Sequence, residues 1–313
     1  MKKYVLKRLA QLVIVILGVS FMTYMLLLAA PSDAAEMRFE GMNTTPTPEM
    51  LEEARQELGL YDPFIVQYLR WLNRTLHGDL GMSTAHKVNV LPYITRRLPE
   101  TIKLAGAAGL LMLLISFPAG ILSAMRRNKK EDYVIRAGTF LGISMPDFWF
   151  GLILMYVFAV KLRWFSVLHT DAPNAIVLPM LTLAVPMSAS YIRYIRTAIL
   201  EEYNSEYVTG ALARGIPEWR IMLKDVLPNA MIPIVTMFGL SVGGLLGGAT
   251  VIETLFSWDG IGNMAVTAIR MRDYPVIQAY VIWMGLIYVT VNFIVDISYR
   301  LLDPQIRLST KVE

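Results

Sequence analysis

The sequence contains no cysteine, which excludes disulfide bridges, thiolate metal sites and a cysteine nucleophile. Charged residues are scarce, at 17% of the 313 residues, whereas a typical soluble domain carries about 25%. The three histidines, His77, His86 and His169, do not stand at metal-ligand spacing, so we expect no metal site. The sequence also lacks a GxxxxGK[ST] phosphate loop, an HExxH motif, and any Ser/His/Asp or paired-carboxylate signature. We therefore expect a chain that is not an enzyme and that has no catalytic residue and no cofactor of its own.

Hydrophobic residues make up 55% of the chain, and they are concentrated in long runs. A helix needs roughly 20 mostly apolar residues to cross a bilayer. Lipid cannot hydrogen-bond the backbone, so each such run must be helical or belong to a closed barrel, and continuous runs favour helices. The sequence therefore predicts an all-α membrane protein with six transmembrane helices. The predicted spans are Leu9 to Ser32, Leu104 to Met125, Ala137 to Val160, Ala172 to Ile192, Val226 to Ile252 and Tyr274 to Val295.

The first span has two interpretations. Lys2, Lys3, Lys7 and Arg8 precede an apolar run that ends in small residues, as in a cleaved secretory signal peptide. Signal peptides have apolar regions of roughly 7–15 residues, and this run is longer, so a retained membrane anchor is favoured.

Basic residues indicate the orientation of the chain. Short loops rich in Lys and Arg stay in the cytoplasm, and the loop from Arg126 to Lys130 is the strongest such feature. With six spans, this loop places both termini in the cytoplasm. The net charge of +4 is accounted for by these loops, so we expect membrane lipid and not nucleic acid as a partner.

The segment between the first two spans is the long extracytoplasmic part of the chain. Glu49 to Leu58 is predicted to form a helix that ends at Gly59, and Phe64 to Leu76 a second, amphipathic helix. Tyr68 and Trp71 on the second helix suit a membrane interface. Two interpretations stay open for this segment, a small cap packed on the outer helix ends and a docking surface for an external partner.

Asp147 follows Met145 and Pro146 inside the third predicted span. An acidic residue inside a membrane is costly and indicates function by default. Asp147 is a candidate for lining the substrate path, although capping a helix that restarts after Pro146 is favoured.

The stretch from Glu201 to Pro228 predicts an elbow of two short helices outside the membrane. Tyr207 to Arg214 fits a helix, and Gly215 suits its C-terminal end. Pro217 and Glu218 suit the start of a second helix, which we expect to end at Leu227-Pro228.

This elbow resembles the coupling motif of binding-protein-dependent ABC importer permeases. The family pattern is Glu-Ala-Ala, three residues, Gly, nine residues, Ile, one residue, and Leu-Pro. Gly215 and Leu227-Pro228 stand at the required spacing, and Ala211 matches the second Ala. The dipeptide, oligopeptide and nickel branch commonly relaxes the Glu. The sequence departs from the pattern at three positions. Thr209 stands where the pattern has Glu, Gly210 where it has the first Ala, and Asp225 where it has Ile.

The resemblance to that branch extends over nearly the whole chain, through passages such as Gly142 to Trp149, Trp258 to Gly262 and Leu302 to Arg307. It implies the type I ABC importer permease fold. It also implies a second homologous permease subunit, two cytoplasmic ABC ATPase subunits that bind ATP and Mg, and an extracytoplasmic solute-binding protein. The residues that it implies in coupling to the ATPase are Thr209, Gly210, Ala211, Gly215, Ile216, Pro217, Leu227 and Pro228.

The resemblance divides the chain into a first transmembrane helix (1–30), an extracytoplasmic helical segment (31–98), a five-helix core (99–303) with the elbow at 201–228, and a cytoplasmic tail (304–313). Two cargoes stay open, nickel as a chelate and short peptides. Similarity to nickel permeases over Pro46 to Leu51 and Leu98 to Ala108 favours nickel. The alternatives from other classes are a secondary transporter or channel driven by an ion gradient, and a membrane scaffold or receptor without transport.

Overall fold

A computed structural model describes residues 2–28, 35–36, 39, 46–166, 172 and 174–302. The residues at the alternative signal-peptide cleavage site (29–34), His169 and the predicted tail (304–313) lie outside this described part. The described chain is helical, and its only β-feature is an isolated bridge between Met82 and Asn89. The helices are α1 (Lys2–Leu28), α2 (Pro48–Glu57), α3 (Phe64–Leu76), α4 (Val90–Thr95), α5 (Leu98–Met125), α6 (Lys130–Ser144), α7 (Asp147–Leu154), α8 (Val177–Tyr203), α9 (Glu206–Ala213), α10 (Glu218–Ile221), α11 (Leu227–Leu255), α12 (Ile261–Arg270) and α13 (Tyr274–Leu302).

The chain forms two compact units. The first comprises residues 1–100 and 259–289, and its buried core includes Ile94, Ile261 and Val276. The second comprises residues 101–258 and 290–313, with a larger apolar core that brings together α5, α8 and α11. Leu104 and Ile195 are fully buried in that second core. The division into four segments drawn from the sequence stays a prediction.

Three helical stretches of the described residues are long and apolar enough to cross a membrane: Val90–Met125, Glu218–Leu255 and Tyr274–Val295. A bent pair of helices, Lys130–Ser144 and Asp147–Lys161, makes a fourth if the pair is counted as one span. The structure thus supports a helical membrane protein, while the count of six spans stays a prediction.

The predicted span from Ala137 to Val160 is divided into two helices, and the expected restart after Pro146 is present. That the pair crosses the membrane as one span stays a prediction. The chain breaks between α6 and α7 and bends by 100°. Met145 has an extended backbone, with φ −96° and ψ 132°. Proline disfavours helical geometry at the residue before it and lacks the N–H that would continue the helix, so Pro146 explains the break. Beyond α7, a π-helical segment (Met155–Lys161) continues the second arm.

The helices predicted between the first two spans are present in the structure. Thr47 precedes α2, and its hydroxyl accepts a hydrogen bond from the backbone N–H of Met50 at 3.3 Å, as an N-cap does. The bounds of α3 coincide with the predicted Phe64 to Leu76. Whether this segment forms an extracytoplasmic cap is not decided by the helices themselves.

Candidate functional site

The elbow is present, with its first helix one residue earlier than predicted, at Glu206–Ala213. Gly215 follows with φ +75°, the left-handed backbone that glycine adopts without strain. Its N–H donates to the carbonyl of Leu212 at 2.9 Å, and the N–H of Ile216 donates to that of Ala211 at 3.2 Å. These two bonds form a Schellman cap, which satisfies carbonyls at the end of α9. Pro217 is extended, and α10 begins at Glu218.

One face of the elbow is anchored in the core of the second unit. Val208 and Ala211 of α9 and Ile221 of α10 are buried. Ile216, directly after the turn, is half-buried against the same core. Burying these apolar side chains fixes the angle between the two short helices, because each side of the turn is held independently. Ala211 packs in this core, where its small side chain lets α9 approach closely. Its role in coupling stays a prediction.

The other face is exposed and combines apolar with basic side chains. Leu212, Trp219 and Leu223 expose 42%, 62% and 59% of their surface. Arg214 and Arg220 are also exposed. Tryptophan and arginine are residue types enriched in protein–protein contact centres. Among the other predicted coupling residues, Thr209, Gly215, Pro217 and Pro228 are exposed, whereas Gly210 and Leu227 are half-buried.

Hydrogen bonds tie both helices of the elbow to the end of α8. The Tyr203 hydroxyl donates to Glu218 at 2.9 Å, and the Tyr207 hydroxyl donates to Glu202 at 2.8 Å. Asn229 donates in turn to the Tyr207 oxygen at 3.4 Å. Burial raises the pKa of Tyr207, and the hydrogen bond to Glu202 adds to the rise, so the hydroxyl stays a donor at neutral pH. The elbow is therefore braced against the helix that precedes it.

The predicted end of the second elbow helix at Leu227-Pro228 is wrong. The helix continues from Glu218 to Leu255, through a π-helical segment (Met222–Val226) into α11. Pro228 has no N–H to donate, and a π-turn is a local adjustment that accommodates such a gap in the helical ladder. The elbow is thus covalently continuous with a long membrane-crossing helix and has no break at the predicted boundary.

An ion pair between α6 and α8 was not predicted from the sequence. The carboxylate of Asp132, near the start of α6, is fully buried. It accepts two hydrogen bonds from the Arg196 guanidinium, both at 2.8 Å, one from the Ser123 hydroxyl at 2.6 Å and one from the Asn128 N–H at 3.0 Å. The sequence signal was limited to two arginines, Arg193 and Arg196, in the C-terminal half of α8. Nothing pointed to the partner of Arg196, 64 positions away.

Asp147 is the first residue of α7, and Pro146 occupies the position before the helix. The helix therefore restarts after Pro146, as expected, and the acid lies at the positive end of the helix dipole. No side-chain capping bond is formed at this end. A role for Asp147 in the substrate path stays a prediction.

Comparison with known proteins identifies the kind of chain that carries this elbow. Residues 116–308 match the family model described as "Binding-protein-dependent transport system inner membrane component", and residues 1–105 match the model of its N-terminal part. The oligopeptide transport system permease protein AppB of Bacillus subtilis is 36% identical, covering 98% of this chain and 99% of that protein. The glutathione transport system permease protein GsiC of Escherichia coli K12 is 34% identical, covering 98% and 99%.

Solved structures share the fold at lower sequence identity. A chain of the inward-facing MetNI methionine ABC transporter aligns with a TM-score of 0.58 at 17% identity, covering 67% of this chain and 95% of that chain. A chain of an amino acid ABC transporter solved with histidines aligns with a TM-score of 0.55 at 16% identity, covering 67% and 94%.

Proposed function

We propose that this chain is the permease subunit of an ATP-driven importer of short peptides. The chain belongs to the family of binding-protein-dependent transport system inner membrane components. As a member of this family it is a transport component without an ATPase site of its own. ATP and Mg are then bound by partner subunits. The observation that carries the proposal is the set of exposed side chains on the elbow, which includes Trp219, Leu223 and Arg214. An ATPase subunit docks there and moves the long helix that follows α10.

Peptides are the cargo that the relatives support. Two of them are named as oligopeptide and glutathione permeases, and glutathione is itself a tripeptide. The preference for nickel drawn from the sequence has no support from these relatives. In the proposed assembly, a solute-binding protein delivers the peptide, and a second homologous permease completes the pathway.

The proposed topology keeps six membrane-crossing segments and both termini on the cytoplasmic side of the inner or plasma membrane. The bent pair α6 and α7 counts as the third segment, and α8 as the fourth. With 27 residues, α8 is long enough to cross the bilayer.

Uptake by the reconstituted assembly tests the function. Proteoliposomes would contain this chain, its partner permease and both ATPases, with the binding protein outside, and uptake of radiolabelled tripeptides would be measured against uptake of nickel. We expect uptake of peptide that requires ATP. Uptake that persists without the ATPase subunits and follows an ion gradient would instead identify a secondary transporter, and uptake of nickel alone would refute the cargo.

A further inference from the structure

Helix α3 is connected to α1 by a cluster of aromatic side chains. Phe64, Tyr68 and Trp71, on one face of α3, surround Tyr24 of α1 with ring centroids 5.3 to 5.9 Å away. Phe21 packs edge-on against Phe64 and Tyr68, with centroids 5.2 Å apart in both pairs. Such aromatic pairs attract each other beyond the effect of the area that they bury. The two helices are therefore held firmly at one crossing point.

The contact between the two helices covers about two turns of each. On α3 it extends from Phe64 to Trp71. On α1 it extends from Leu17, whose carbonyl accepts a hydrogen bond from the Tyr68 hydroxyl at 3.4 Å, to Tyr24. This contact is called the crossing below.

The depth of the crossing follows from the apolar run of α1. The Tyr68 hydroxyl is 2.9 Å from the Ser20 hydroxyl, and both are buried. Ser20 and Tyr24 lie about 17 and 23 Å along the helix from Leu9, where the apolar run begins. A bilayer core is roughly 30 Å thick, so the crossing lies in the half of the span that is far from the basic N-terminus. This position is within the apolar layer and below its surface.

The two flanks of α3 differ in polarity, as a helix at the boundary between acyl chains and water requires. One flank carries Ile65, Leu69 and Leu76, which expose 53%, 54% and 76% of their surface. The opposite flank carries Arg70, ion-paired with Asp62, and Arg74.

The chemistry of the two flanks decides which of them faces water. A guanidinium among acyl chains is costly, so the flank of Arg70 and Arg74 faces headgroups and water. The apolar flank, on the opposite side of the helix, then faces the bilayer centre.

We infer that α3 is an interfacial membrane helix whose apolar flank of Ile65, Leu69 and Leu76 lies against the acyl chains of the leaflet far from the basic N-terminus of α1. The arginine flank faces headgroups and water. Amphipathic helices in this position are buried about 5–10 Å below the headgroup boundary, in line with the depth of the crossing. The surface is continuous with α1, whose side chains Ile14, Met22 and Leu26 are exposed in the same apolar run. This assignment differs from both a protein-docking surface and a cap outside the bilayer.

Site-specific quenching tests the assignment. The chain has no cysteine, so Leu69→Cys and Leu76→Cys each provide a single labelling site for bimane once the partner subunits are also cysteine-free. The matched control is Arg74→Cys, on the opposite flank of the same helix. The full assembly is reconstituted into bilayers that contain acyl-brominated phosphatidylcholine. We expect the bromolipid to quench the fluorescence of bimane at positions 69 and 76 about threefold more strongly than that of bimane at position 74. We expect aqueous iodide to quench bimane at position 74 more strongly than at positions 69 and 76.

Three results would overturn the inference. Iodide quenching at 69 equal to that at 74 would place the apolar flank in water. Protection of 69 and 76 from both quenchers would show that another protein subunit covers them. Protection that appears only when the solute-binding protein is added would identify a docking surface. None of these results depends on which cargo the assembly carries.

Discussion

Replacing Gly215 tests whether the left-handed turn of the elbow matters for coupling. The backbone at this position has φ +75°, and a Cβ added there would meet nothing within 4 Å. The cost of a side chain is therefore conformational and not steric. A residue other than glycine pays about 1–2 kcal/mol in this region, and asparagine pays less because its side chain tolerates the left-handed backbone. Proline cannot adopt the conformation, since its ring holds φ at about −65°.

These differences predict a graded series. Gly215→Asn is expected to transport nearly as well as the native chain. Gly215→Ala, at a cost of about 1 kcal/mol, is expected to lower the yield of transported peptide per ATP by about fivefold or less, because the buried neighbours still hold the turn. Gly215→Pro also loses the N–H that donates to Leu212. We expect it to insert and to leave ATP hydrolysis in place while abolishing uptake.

The assay compares ATP hydrolysis and peptide uptake in the same proteoliposomes. Gly138→Ala provides the matched control, because Gly138 lies inside α6 and an added Cβ would meet nothing within 4 Å. Glycine inside a helix is less stable than alanine by roughly 0.5–1 kcal/mol, so this change strengthens the helix and is expected to preserve coupling. Native coupling in Gly215→Pro would refute the role of the turn. A worse result for Asn than for Ala would refute the backbone explanation.

Two further predictions concern the exposed face of the elbow and the ion pair between α6 and α8. Trp219→Ala is expected to weaken association with the ATPase by about 2 kcal/mol, measured as binding affinity in detergent. Trp164→Ala, at a site of similar exposure (63% against 62%), is expected to leave association unchanged. Equal losses of affinity in the two variants would contradict a specific contact at Trp219. Asp132→Ala leaves the half-buried guanidinium of Arg196 without its main counter-charge and is expected to cost about 3 kcal/mol of unfolding free energy, the low end for a buried pair, measured by chemical unfolding. The double variant with Arg196→Ala is expected to cost less than the sum of the two single changes, and additivity would contradict direct pairing.

Local signals predicted the helices of the elbow and of the segment between the first two spans. The end of α9 is marked by Gly215, and the start of α10 by Pro217 and Glu218, because each of these residues fits few backbone positions. The bounds of α3 followed from the same kind of reasoning. Where a helix begins or ends at a residue with a strong conformational preference, the sequence is sufficient.

The break between α6 and α7 shows what an apolar run leaves open. Pro146 indicated that a helix restarts at Asp147, but nothing in the sequence indicated the 100° angle between the two helices. A run of apolar residues indicates only that a segment avoids water, and two helices at 100° satisfy that requirement as well as one straight helix. At Pro228 the prediction was wrong, because the proline suggested a helix end and a π-helical segment continues the helix instead. Proline marks a lost hydrogen bond, and the surrounding structure decides whether the helix bends, ends or adjusts.

The tertiary contacts of α8 could not be predicted from the sequence, yet they determine which helices move when the elbow moves. Arg196 binds the Asp132 carboxylate on α6, and the buried Tyr191 hydroxyl donates to the carbonyl of Ile234 on α11 at 2.9 Å. Only Asn204 and Ser205 separate α8 from α9. A helix held by a buried ion pair on one side and a buried hydrogen bond on the other resists sliding relative to both neighbours, because either displacement leaves a polar group unpaired in the core. In the proposed importer, a displacement of the elbow would therefore move α6, α8 and α11 together.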